Sequence, residues 1–135
     1  RGWDTIIFPG YVAEISPRLG SCDLVALPYR SGISVLGYSR TALEALAAGI
    51  PVVTTPNPAV APLIEDGENG FICRGEIELK ERIKLLIENQ SLREKLSAGA
   101  ALSVSQFDID RIAEKYKRLI YQALSEGEAH GGKFY

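Results

Sequence analysis

Gly37-Tyr38-Ser39-Arg40-Thr41 places a flexible residue, two aliphatic hydroxyls and a guanidinium just ahead of the helix-forming run Ala42-Leu43-Glu44-Ala45-Leu46, and Gly49 ends that run. The first backbone N–H groups of a helix have no intrahelical acceptor and its dipole favours negative charge, so this arrangement can hold an anion. Gly37 permits close approach of the backbone to a ligand, and Ser39 and Thr41 add hydroxyl donors. A local role competes for the same residues. Thr41-Ala42-Leu43-Glu44 has the capping-box spacing, with Thr41 as N-cap and Glu44 reaching back to it. The residues alone leave both readings open.

Other polar clusters carry less. Thr54-Thr55-Pro56-Asn57-Pro58-Ala59 reads first as a strand-to-helix connection, and Asp66-Gly67-Glu68-Asn69-Gly70 as turn chemistry. Arg30 and Arg40 lie near the glycine-containing loop, where solvated arginines are common. His130, the single histidine, falls in a Gly-rich end, and with the separated Cys22 and Cys73 it makes no zinc ligand set, so no metal site is expected. Both cysteines sit among apolar residues and read as reduced core thiols. No catalytic residue is identified. Neither a GxGxxG fingerprint nor a P-loop is present.

The elements that must position these groups follow from periodicity. Strands are predicted over residues 5–8, 23–28, 51–55 and 71–73, and the run at 23–28 has the continuous apolar character of a strand buried on both faces. Short helices are predicted within 13–19 and 58–64, a loop over 29–38, and a helix from Thr41 to Gly49. Longer helices follow over 76–89, 92–102 and 109–124, the first with Ile77, Leu79, Ile83, Leu86 and Ile87 near one face. This alternation predicts an α/β fold: an open, Rossmann-like parallel sheet with helices on both faces and closing helices at the C-terminus. Ligands of such sheets lie beyond the carboxyl ends of the strands, which points to residues 29–41 and 54–58.

With 135 residues, the chain is expected to form a single domain over 1–126, with 127–135 a flexible tail. Lys+Arg 15 against Asp+Glu 17 leaves a net charge of −2, with no basic excess for a phosphate backbone, so no nucleic-acid partner is expected. No apolar run approaches a membrane span and no signal-peptide core is visible, which makes cytoplasmic placement the expectation. The absence of Met suggests a piece of a longer chain. Phe107, Ile109, Ile112, Tyr116, Leu119, Ile120 and Leu124 are more than one helix face needs, so self-association through 107–124 is expected unless that helix completes the core. Trp3 and Tyr135 are terminal aromatics that can cover core edges.

LGYSRTALEALAAGIPVVTT followed by IEDGENGFI resembles the C-terminal half-domain of retaining glycosyltransferases of GT-B fold, in the GT4-like group. IIFPGYV and SCDLVALPYR fit that family's preceding strands, and the segments from SLREKLSAGA onward fit its closing helices. The resemblance covers residues 5–124. It implies a nucleotide-sugar-binding domain in which Glu44 binds the ribose hydroxyls, a role suited to a group that only accepts hydrogen bonds. It places Gly37, Tyr38, Ser39, Arg40 and Thr41 along the diphosphate, and backbone groups of Tyr11 and Val12 beside the base. The substrate implied is a UDP- or GDP-linked sugar, with no cofactor and no metal, and the partner is an N-terminal acceptor-binding domain or subunit. In a full-length protein, peripheral contact with the cytosolic membrane face is a further implication.

Three departures bear on activity. Leu36 stands where the family's first glutamate, associated with the transferred sugar, falls. The family's Arg and Lys that clamp the diphosphate fall upstream of Thr5 and have no counterpart in this sequence, and electrostatic stabilisation of that kind usually contributes more to catalysis than any other effect. The loop at 54–59 lacks the family's paired glycines. Two readings therefore stand: the donor half of a glycosyltransferase, inactive alone, or a non-catalytic binding or assembly module, including one subunit of a split transferase. An unrelated α/β nucleotide-binding domain is the third and weakest.

Overall fold

The computed structural model describes residues 6–30 and 37–129. Trp3, Leu36, His130 and Tyr135 lie outside them. Three short strands, β1 (Val25–Leu27), β2 (Val52–Thr54) and β3 (Gly70–Ile72), form a parallel sheet in the order β1-β2-β3. Val52 pairs with Val25 on one side and Gly70 on the other. Between and after them run α1 (Ser16–Leu19), α2 (Arg40–Ala47), α3 (Glu76–Glu88), α4 (Gln90–Ser103) and α5 (Ile109–Ala129). Short 3₁₀ turns cover Ala61–Leu63 and Ser105–Phe107. The architecture is the expected Rossmann-like open parallel sheet, with helices on both faces.

β2 is central because every one of its residues can be buried. Val52 packs with Ala42, Ala45 and Leu46 of α2 on one face, and Val53 packs with Phe71, Leu79 of α3 and Leu96 of α4 on the other. Thr54 is fully buried too, and its hydroxyl donates to the Leu27 carbonyl at 3.0 Å, which satisfies the polar group inside the core. α4 spans both layers, packing on α2 and α3. It approaches the 66–70 turn so closely that a Cβ at Gly99 would overlap the Glu68 carbonyl.

Several expectations are corrected. Ile6, Ile7 and Phe8 form no strand and are exposed, because a strand exists only where a neighbour takes its backbone groups. β1 is not buried on both faces: it is an edge in the described sheet, and Ala26 is exposed between half-buried Val25 and Leu27. Cys22 is exposed on the turn after α1, its thiol 3.2 Å from the Arg18 carbonyl, whereas Cys73 is buried. The helix expected over 13–19 shrinks to α1, and that over 58–64 to a 3₁₀ turn, both at prolines that deny an amide hydrogen bond. On α3 only Leu79 and Leu86 are buried, while Ile77 and Ile87 face out.

α5 does not complete the core. It packs chiefly on the Ser105–Phe107 turn, and Ile109, Tyr116, Leu119, Ile120 and Leu124 remain exposed. The helix continues to Ala129, past Gly127 where the tail was expected to begin.

Candidate functional site

α2 begins at Arg40, and its N-cap is Ser39. The Ser39 hydroxyl accepts from the Ala42 N–H at 3.3 Å, and its own N–H donates to the Ala59 carbonyl at 2.8 Å. This corrects the capping-box reading of Thr41 and Glu44. Thr41 is the second helical residue and exposed, and Glu44 lies too far into the helix to cap it. Ser39 wins because a tertiary contact holds its backbone extended, with φ −65° and ψ 112°, as an N-cap requires.

This cap decides which groups are free to bind. The Ser39 N–H is engaged and its hydroxyl oxygen accepts from Ala42, so Ser39 shapes the helix start and keeps only its O–H as a donor. The N–H groups of Arg40 and Thr41 have no acceptor among the described residues, and these are the donors an anion would meet. Gly37, just before them, has φ +88°, a left-handed conformation that favours glycine and turns the chain into the helix.

Glu44 projects one turn along α2. Its carboxylate is 3.4 Å from the Arg40 guanidinium, and its side chain is 36% exposed while that of Arg40 is 86% exposed. One exposed ion pair of this kind contributes little stability, so the carboxylate keeps acceptor capacity for a ligand. Tyr38 is half-exposed and sets its ring edge-to-face on Phe107, centroids 5.1 Å apart. The structure thus gathers Gly37, Tyr38, Ser39, Arg40, Thr41 and Glu44 at the head of α2. Tyr11 is exposed and Val12 half-buried in the segment leading to α1, which packs on α2.

Sequence reasoning missed the residues that organise this head. Asn57 is buried, and its Oδ1 accepts from the Ala59 N–H at 2.9 Å, fixing the turn whose carbonyl holds Ser39. The Asn57 Nδ2 has no partner among the described residues. The Asn-Pro pair did signal a turn, yet nothing local connects it to Ser39. Among the described residues no three His, Cys, Asp or Glu side chains come together as metal ligands, and no helix is long and apolar enough to cross a membrane.

A family model described as Glycosyl transferases group 1 matches residues 1–103. Among curated proteins, an N,N'-diacetylbacillosaminyl-diphospho-undecaprenol alpha-1,3-N-acetylgalactosaminyltransferase of Campylobacter jejuni is 31% identical over 113 residues, covering 82% of this chain and 29% of the relative. An uncharacterized glycosyltransferase of Haemophilus influenzae is 29% identical over 87% of this chain and 33% of its own length. Among solved structures, HepE of Anabaena in complex with UDP superposes with a TM-score of 0.75 at 27% identity, covering 85% of this chain and 32% of HepE. The C-terminal domain of LpcC from Francisella tularensis gives a TM-score of 0.60 at 25% identity, over 73% of this chain and 51% of that one. The chain therefore spans about a third of the length of the curated relatives it matches.

Proposed function

The chain belongs to the group 1 glycosyl transferases, and from that premise we propose that the head of α2 binds the donor, a nucleoside-diphosphate sugar. The observation that carries this reading is the pairing of the Arg40 and Thr41 N–H groups, unengaged among the described residues, with an accessible Glu44 carboxylate one turn away. The amides receive the diphosphate through hydrogen bonds and the helix dipole. Glu44 accepts from the ribose hydroxyls, and the Tyr11-Val12 backbone meets the base. HepE, a relative solved with UDP, favours a UDP-linked donor over a GDP-linked one.

In the reaction proposed, the bond from the sugar C1 to the diphosphate breaks and the nucleoside diphosphate leaves with its electron pair. An acceptor hydroxyl forms the new C1 bond on the same face, so configuration is retained, and its proton passes to the oxygen of the departing diphosphate. The leaving group's charge is met by oriented amides and by Arg40 rather than by a metal, and requires no cofactor. An N-terminal domain or subunit holds the body of the acceptor across from the strand ends of this chain, and without it the chain binds donor but does not transfer sugar.

Calorimetric titration with UDP, GDP and their glucose conjugates tests the donor site. Saturable heat with UDP, weakened in Glu44→Ala, is expected. Absence of heat with every nucleotide overturns it. A binding or assembly module is the second reading, favoured by the uncovered apolar stripe of α5. Sugar transfer by the chain alone excludes that reading.

A further inference from the structure

A cavity of about 610 Å³ opens at the carboxyl ends of the three described strands, and no residue of the α2 head lines it. Each strand end contributes polar lining: Tyr29 and Arg30 after β1, Thr55 after β2, and Arg74 and Glu76 after β3, with Leu79 beside them. Strand ends of an open parallel sheet are where such folds bind ligands, and the volume is that of a small-molecule pocket. Because β2 lies between β1 and β3, the two arginines follow strands about 10 Å apart, at the usual spacing of adjacent strands.

We propose that this cavity is an anion subsite for a phosphate-bearing acceptor, with Arg30 and Arg74 as the phosphate ligands. Neither guanidinium is held in an ion pair among the described residues, and guanidinium is the side chain best matched to phosphate oxygens. The chain is tied at Arg74 and beside Arg30. The Arg74 N–H donates to Glu78 at 2.8 Å, and the Thr55 hydroxyl donates to the Tyr29 carbonyl at 2.7 Å, next to Arg30. The one carboxylate on the rim, Glu76, is already matched by Lys80 at 2.7 Å. That hydrogen bond holds its carboxyl below the usual range, and the weaker pull of Arg30 adds to the effect. The rim therefore keeps a net positive charge.

Assignment to the acceptor rests on the donor reading of α2 and on the loop that separates the two sites. Thr55 lines the cavity at one end of this loop, while Ala59 at the other holds the Ser39 N–H. A phosphate in the cavity thus lies beside the donor diphosphate rather than on it.

The test is titration of the full chain with inorganic phosphate, followed through the arginine Nε–H resonances, in the absence and presence of saturating UDP. Saturable shifts at Arg30 and Arg74 are expected, unaffected by UDP. Binding should weaken at least tenfold in Arg30→Gln/Arg74→Gln and remain unchanged in Arg111→Gln, an exposed arginine on α5. Displacement of phosphate by UDP assigns the arginines to the donor's own diphosphate and overturns the acceptor subsite. Equal binding by the double variant, or no saturation, overturns the site itself. Phosphate binding in a chain that takes no UDP supports the anion site while the donor reading fails.

Discussion

The backbone N–H of Ser39 donates to the carbonyl of Ala59 at 2.8 Å, joining the head of α2 to the loop after β2. Two segments that read as separate candidates in the sequence are therefore one structural unit. The amides of Arg40 and Thr41 in the first turn keep no acceptor among the described residues.

Asn57→Ala tests that unit. The substitution removes the acceptor for the buried Ala59 N–H while also deleting an Nδ2 that has no partner among the described residues. A buried donor left without a partner costs about 1–3 kcal/mol. We expect a net loss near ~2 kcal/mol in a denaturant melt, with weaker UDP binding measured well below the melting transition. Unchanged stability and unchanged UDP affinity would show that the loop holds Ser39 without Asn57.

Glu44→Gln separates ligand binding from folding. The pair with Arg40 is largely exposed, so its loss should change stability by less than ~1 kcal/mol. Hydrogen bonds from ribose hydroxyls to a charged acceptor contribute about 1.5–3 kcal/mol, so UDP affinity should fall about tenfold or more. The expected signature is an unchanged melt beside a weakened calorimetric isotherm. The reverse pattern would return Glu44 to a helix-stabilising role.

How far these features were legible depends on the distance over which they are determined. β2, α3 and α4 were readable because continuous apolar runs or a helical period need no partner to be recognised, and Val52, Val53, Leu86 and Leu96 are all fully buried as such patterns imply. Ser39 and Thr41 are both good caps, and the choice between them is made by Ala59, a contact remote in sequence. The strand expected at residues 5–8 has the right composition, but composition does not supply the neighbour that Ile6–Phe8 lack. The strand-end rule pointed to Arg30 and Thr55 but not to Arg74, since parallel strand order brings together residues that no local spacing relates.

The two thiols should separate cleanly in reactivity. Cys22 is exposed and Cys73 buried. Burial pushes the Cys73 thiol up, and Glu78 adds to the shift while Arg82 opposes it. A disulfide-exchange reagent at neutral pH should therefore label one thiol rapidly, with the second released only on unfolding. Because the folded value lies above the unfolded one, the stabilising preference for the neutral thiol is complete below about pH 8.5. It is lost as pH rises through the folded value. Denaturant midpoints measured from about pH 7 to about pH 10.5, a range that brackets ordinary thiol titration, should fall more steeply for the parent chain than for Cys73→Val. Parallel slopes would remove Cys73 from the alkaline response.

On α5, Ile109, Tyr116, Leu119, Ile120 and Leu124 are 58–74% exposed and recur at helical spacing, forming one stripe on a helix that the core leaves uncovered. Contiguous exposed apolar surface favours association, so the isolated chain should sediment as a self-associating species through this stripe. A truncation ending at Asp108 keeps Phe107 against Tyr38 and leaves both core clusters whole. It should sediment as a monomer, with a denaturant midpoint close to that of the full chain. Replacing Leu119, Ile120 and Leu124 by Gln in the full chain should have the same effect on sedimentation. A monomeric full chain, or association that survives both changes, would show that the stripe does not bind a second copy.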